Sequence, residues 1–161
     1  MQFLYNHNQL LKWLVLLALL LAIVSFLSFW FGSPSFSESG VKLGIEGPAQ
    51  VSVGDEVVYK LKYSNTTKLD LSSLSFKFTY PDSSVVLKDG IVAKELSETF
   101  TVDQLSPGQS AEKEFKAFLV GDRGNIKTAK AELSYGAGGL KTVFEKNISL
   151  STTIIGLPIS L

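Results

Sequence analysis

Nucleophilic catalysis by serine or threonine needs a base within hydrogen-bond reach, most often histidine. This 161-residue chain has a single histidine, His7, which precedes a long apolar run. It has no cysteine, which removes thiol nucleophiles, thiolate metal sites, disulfides and lipid attachment through cysteine together. What is left for chemistry is mostly carboxylate. Asp55, Glu56, Asp82, Asp89, Asp103 and Asp122 fall near the ends of the chain's alternating segments, where paired acids can do acid–base work or clustered oxygens can take a hard cation such as calcium. No D-x-[DN]-x-[DN]-G run gathers them, and acids at turns and strand ends are ordinarily solvated caps. The expectation is no catalytic residue, no cofactor and no metal.

Three other side chains invite modification chemistry. Asn65 in "NTT" and Asn147 in "NIS" fit the N-glycosylation pattern and are candidate acceptors, although Asn65 also suits a strand-ending turn. Lys146 falls in phase with the apolar Phe144 and Ile148. A lysine so placed either condenses with an asparagine side chain, losing ammonia, or occupies a bulge or edge position from which its stem snorkels. The second is expected.

The element that sets the context of all these residues is "WLVLLALLLAIVSFLSFWF", Trp13 to Phe31, which has no charge. A hydrocarbon core about 30 Å thick needs roughly 20 apolar helical residues, and this run supplies them with aromatic rings at both ends, where headgroups lie. A cleaved signal would have a shorter apolar region and small residues before the cut, here Ser25 and Ser28, but would leave the apolar end "FWFG". An uncleaved signal-anchor over residues 13–31 is expected. Lys12 and the terminal amine precede it, whereas Glu38 is the first charge after it. The positive-inside rule then puts residues 1–12 in the cytoplasm and the rest outside.

Residues 32–40, "GSPSFSESG", have linker composition. From residue 38 onward lie all the acids and every base but Lys12, interspersed and nearly balanced, which excludes the basic stripe of a nucleic-acid-binding surface. The hydrophobic pattern there has period two. Val57, Tyr59, Leu61 and Tyr63 share one face of a strand, as do Leu74, Phe76, Phe78 and Tyr80 of the next, which Pro81 ends. Turns at "KDG", "SPGQS", "GDRGN" and "GAGG" separate further strands carrying Phe115, Ala117 and Leu119, then Ala129, Ala131, Leu133 and Tyr135, then Phe144, Ile148 and Leu150. About seven or eight antiparallel strands over residues 41–152 predict an all-β, Ig-like β-sandwich, with a small barrel as the alternative.

Segments "VSVGDEVVYKLKYSNTT", "LSSLSFKFTYPDS" and "QLSPGQSAEKEFKAFLVG" resemble the conserved-repeat Ig-like domains of bacterial and archaeal cell-surface proteins of the S-layer and adhesin type. There, GD-x-V-x-Y-x-x-x-x-x-N opens the second strand, YP closes a middle one and L-x-PG-x-S precedes another. The resemblance spans about Val41 to Thr153. It implies an extracytoplasmic structural or adhesive domain, often in tandem, with no catalytic residues. The tail at 153–161, "TIIGLPISL", is of the kind that begins a following repeat in such proteins. The expected partners are the membrane through residues 13–31 and other surface proteins or further repeats. The alternative is a carbohydrate- or protein-binding module, or an accessory subunit of a membrane complex; it should carry a contiguous apolar patch that a spacer lacks.

Overall fold

A computed structural model describes residues 3–30 and 36–156. It divides into two compact units, Met1–Ser35 and Phe36–Leu161. The first contains helix α1, Phe3–Trp30. Its stretch Gln9–Ser28 is long and apolar enough to cross a membrane and is nowhere buried against protein. Phe31, at the predicted interface girdle, and residues 32–35 of the predicted linker lie outside the described residues.

The second unit opens with one 3₁₀ turn, Glu38–Gly40, followed by β1 Val41–Glu46, β2 Gln50–Ser52, β3 Glu56–Asn65, β4 Leu71–Thr79, β5 Ser84–Val85, β6 Leu87–Lys88, β7 Ile91–Val92, β8 Ser97–Leu105, β9 Ser110–Leu119, β10 Ile126–Ala137 and β11 Val143–Ile155. One sheet has the order β1-β3-β9-β5 and the other β2-β11-β10-β4-β8, while β6 and β7 form a separate hairpin. The chain changes sheet between β1 and β2, so that β2 pairs in parallel with the last strand, Gln50 opposite Thr153 and Ser52 opposite Ile155. Every other strand pair is antiparallel. This is an Ig-like sandwich. Gly47 sits at the crossing, where a Cβ would lie 3.0 Å from both Tyr59 Cδ1 and Leu150 Cδ2, so that any side chain there would have to press these two aside by a few tenths of an ångström.

The alternation survives intact in the fold. Val57, Tyr59, Leu61, Tyr63, Leu74, Phe76, Phe78, Tyr80, Phe115, Ala117, Leu119, Ala129, Ala131, Leu133 and Tyr135 are all buried in one core. Aromatic rings join the sheets: Phe78 of β4 stacks on Phe115 of β9, with centroids 4.1 Å apart and planes 6° apart. On the same core, Tyr63 of β3 meets Phe76 of β4 at 4.5 Å. Burial raises the pKa of the Tyr59 hydroxyl, an effect partly offset by the neighbouring Thr152 side chain.

Three local features depart from the sequence reading. The sandwich begins before Val41, because the ring of Phe36 packs on Phe144 at 4.7 Å and on Tyr135 at 6.3 Å. It also runs past residue 152: β11 continues to Ile155 with Ile154 fully buried, while residues 157–161 of the predicted tail lie outside the described residues. The segment "SVVLKDG" is not one strand. Val86 turns into the core between β5, which joins β9, and β6, which pairs with β7 across the Asp89–Gly90 turn. Both turn residues have positive φ, 52° and 79°, as a two-residue I′ hairpin requires.

Candidate functional site

The end of the sandwich where Val41 faces Asn65 is called proximal, and the opposite end distal. The predicted carboxylates divide between different places. Asp55 and Glu56 follow β2, Asp82 follows β4 and Asp122 precedes β10, so all four belong to distal loops and strand ends. Asp89 is at the hairpin tip and Asp103 on β8. Main-chain groups tie these turns: the Asp55 N–H donates to the Ser52 carbonyl at 3.2 Å, and the Asn125 N–H to the Asp122 carbonyl at 3.1 Å. Lys127 Nζ donates to the Asp82 carbonyl at 2.8 Å. Among the described residues no group of three or more His, Cys, Asp or Glu is placed to hold a metal ion. A depression of about 560 Å³ crosses the outer face of β1, β3 and β9 at Gly44. Its rim carries solvated ions such as Lys62, paired with Glu46 at 2.7 Å.

The most elaborate polar arrangement is at the proximal end, around Asn65. Its side chain is fully buried. Nδ2 donates to the Leu69 carbonyl at 2.8 Å and to the Leu105 carbonyl at 2.8 Å, while Oδ1 accepts from the Thr67 N–H at 2.9 Å and the Thr67 hydroxyl at 2.7 Å. The main chain of the same residue is equally committed: its N–H donates to the Gln109 carbonyl at 2.9 Å and its carbonyl accepts from the Gly108 N–H at 2.7 Å. Gly108 has φ +79°, a conformation glycine adopts freely. Thr66 then binds the Gly40 carbonyl through both its N–H and its hydroxyl, each at 2.7 Å.

Asn65 therefore joins the β3–β4 loop to the β8–β9 turn, and its neighbour Thr66 joins that loop to the 3₁₀ turn. Both Nδ2 protons of Asn65 are engaged by carbonyls, and a sugar on that nitrogen would replace one of them and so displace one of these bonds; the arrangement is that of a strand-ending turn, the other reading of this residue. The asparagine of GD-x-V-x-Y-x-x-x-x-x-N and the leucine and glycine of L-x-PG-x-S are thus hydrogen-bonded to one another. The recurrence of the two motifs in one sequence was the available signal for this contact.

Lys146 and Asn147 lie on β11. Lys146 Nζ donates to the Glu38 carbonyl at 2.9 Å and also to the Val41 carbonyl. It thereby bonds the carbonyls of the first residue of the 3₁₀ turn and the first residue of β1, and ties the start of the domain to the opposite sheet. No asparagine amide takes part. Asn147, one residue on, is exposed opposite Glu132 on the outer face.

One titratable cluster lies between the sheets at the β8 side. Glu98 of β8 pairs with Lys88 at 3.0 Å and Lys113 at 3.4 Å, and Lys113 Nζ also sits 4.3 Å from the Phe100 ring centroid. Burial disfavours the ionised Glu98, but the hydrogen bonds and charges of the two lysines outweigh it and hold the carboxyl below its ordinary value of 4.5. Burial, reinforced by the charge of Glu98, pushes the Tyr80 hydroxyl up to about 12. The cluster neutralises itself and covers an aromatic edge. Because the folded pKa of Glu98 is the lower one, its contribution to stability is complete above the unfolded value and is lost as pH falls through the folded value. Glu98→Gln is therefore expected to flatten part of the acid side of the stability curve, measured as melting temperature between pH 7 and pH 3 against the parent chain.

No family model and no curated protein matches the chain. Solved structures do. A segment of E. coli alpha-2-macroglobulin in its native conformation superposes with a TM-score of 0.51 at 14% identity, covering 73% of this chain and 7% of the macroglobulin. The likeness is one of fold. The CARDB domain of a Pyrococcus furiosus protein, solved in complex with di-metal ions, gives 0.48 at 15% identity over 78% of this chain and 91% of that domain. A cohesin module of a Clostridium perfringens family 33 glycoside hydrolase gives 0.46 at 13% identity over 72% of this chain and 97% of the module.

Proposed function

We propose that the chain is a single-pass membrane protein that presents its Ig-like sandwich on the outer side of the cytoplasmic membrane as a structural or adhesive spacer of the surface-protein type, without chemistry of its own. The observation that carries this reading is Gln9–Ser28, apolar around its whole circumference and unburied by protein; such a helix is stable in lipid and a liability in water. Support for a spacer comes from the sandwich itself. Its multiply bonded polar side chains Asn65 and Lys146 bind the chain's own backbone. Residues 1–12 are cytoplasmic in this reading, because the only charged side chain before the span is Lys12.

One observation favours the alternative of a binding module or complex subunit: Leu87, Ile91 and Val92 of the β6–β7 hairpin are 48%, 73% and 59% exposed, a small apolar tip on a polar domain.

The test is fractionation of the full chain with intact mass. The expected result is a protein that stays in the membrane pellet at alkaline pH with its mass beginning at Met1. A soluble form beginning at Phe29 would overturn the anchor. Leu17→Lys together with Leu20→Lys should move the protein to the soluble fraction, since each charge near the middle of a span costs about 2.5–3.5 kcal/mol of insertion energy.

A further inference from the structure

The sandwich has four sheet edges, and three are short or guarded. β2 and β5 are three and two residues long, and β1 carries Lys42 and Gly44. The fourth edge, β8, is nine residues long, Ser97–Leu105. Natural edges are protected by lysine, proline, bulges or brevity. β8 has no lysine, proline or bulge, and among the described strands of six or more residues it alone has no cationic side chain; of its two acids, Glu98 is neutralised by Lys88 and Lys113, which leaves Asp103 as its one unneutralised charge. Its outward groups can be assigned. The Tyr80 N–H donates to the Leu96 carbonyl at 2.8 Å, one step beyond the pair Thr79 and Ser97. Antiparallel alternation then makes Phe78–Glu98, Phe76–Phe100 and Leu74–Val102 the bonded pairs, and turns the main-chain groups of Thr99, Thr101 and Asp103 away from β4. The side chains of these three residues are exposed.

We infer that β8 pairs antiparallel with β8 of a second copy about a two-fold axis at Thr101, continuing the β2-β11-β10-β4-β8 sheet through both molecules. The register is specified by the residues. Centred on Thr101, each outward main-chain group meets a partner: Thr101 faces Thr101, and Thr99 faces Asp103 in both directions, giving about six hydrogen bonds. Phe100, half-buried on the inner face, falls opposite Val102, an aromatic–β-branched pair made twice. Glu98 falls opposite Gln104, so no two like charges oppose. Moving the axis to Asp103 sets that acid against itself, and moving it to Thr99 sets Glu95 against Asp103, both unfavourable. The pairing requires no membrane, so it stands or falls apart from the anchor.

The absence of native cysteine makes the test direct. In full-length protein in membranes under mild oxidation, Thr101→Cys is expected to give a disulfide-linked dimer, because bonded antiparallel partners have Cα atoms within disulfide range. Its yield should be at least about tenfold that of Glu132→Cys, a collision control on the exposed face. Thr99→Cys and Asp103→Cys should link poorly alone and well when co-expressed. Thr101→Pro removes only an outward N–H; it should abolish dimers in sedimentation of the detergent-solubilised chain while leaving the melting temperature within a few degrees. Equal linking at Thr101 and Glu132, a monomer for the parent chain, or a dimer that persists in Thr101→Pro would each overturn the inference.

Discussion

Replacing Asn65 with alanine is expected to destabilise the domain by about 3–4 kcal/mol, a large part of the 5–15 kcal/mol that holds a domain folded. The substitution deletes Nδ2, leaving the Leu105 carbonyl unpartnered and the Leu69 carbonyl with only the Thr67 hydroxyl at 3.0 Å, and deletes Oδ1, freeing the Thr67 N–H. Each buried polar group left unpaired costs about 1–3 kcal/mol; the Leu105 bond is fully buried and the other two are partly so. Asn65→Asp separates the two roles of the side chain. It keeps an acceptor for Thr67 but turns a charged oxygen toward two carbonyls, and should destabilise at least as much as alanine. Urea unfolding of the detergent-solubilised chain checks both. Near-ultraviolet circular dichroism of the tyrosines is a suitable signal, because both tryptophans, Trp13 and Trp30, lie in α1. A loss below about 1 kcal/mol for the alanine variant would show that the node is dispensable.

Phe78→Ala should cost about 3–5 kcal/mol, the range for emptying a buried aromatic site. Phe78 is fully buried and touches two rings of the opposite sheet, Phe115 of β9 at 4.1 Å and Tyr59 of β3 at 5.8 Å, and that of Tyr80, just past β4, at 5.1 Å. No neighbour can collapse into the space without separating these rings. Phe78→Leu keeps most of the volume and should be clearly milder than Phe78→Ala. Combined with Phe115→Ala in a double-mutant cycle, the pair should show a coupling of about 0.5–1.5 kcal/mol, the value of a stacked aromatic contact beyond burial. Additive losses would mean that the stack is only filling.

The long strands were legible because a sheet buried on one face imposes period two on its residues. Val57 to Tyr63 and Leu74 to Tyr80 show this as plainly in the sequence as in the core. Short elements defeated that reading for a physical reason. Val86, a single inward residue between two-residue strands, is too short a stretch to have a period, and Ile154 looks like tail because its partner strand, β2, is only three residues long and parallel. Asn65 carries a different ambiguity. An Asn-x-Thr triplet is the same string whether the amide faces solvent or is bonded to carbonyls, one of them forty positions away, and only the strand pairing decides between them. Lys146 lay correctly in phase with its apolar neighbours; of the two carbonyls that receive it, that of Glu38 belongs to a turn the sequence pattern marks only as linker and that of Val41 opens β1.

The parallel pairing of β2 with β11 bears on how the domain withstands mechanical load. Val41 is at the proximal end, whereas β11 leaves the sandwich at the distal end, at Ile155. A pull between these points draws β2 and β11 in opposite directions along their length, so their hydrogen bonds are loaded together in shear instead of being opened one after another. The β1–β3 ladder, six residues long, lies in series with them at the other end of the same crossing. Rupture must therefore begin with several bonds breaking at once, and the crossing at Gly47 is where tension passes from one sheet to the other.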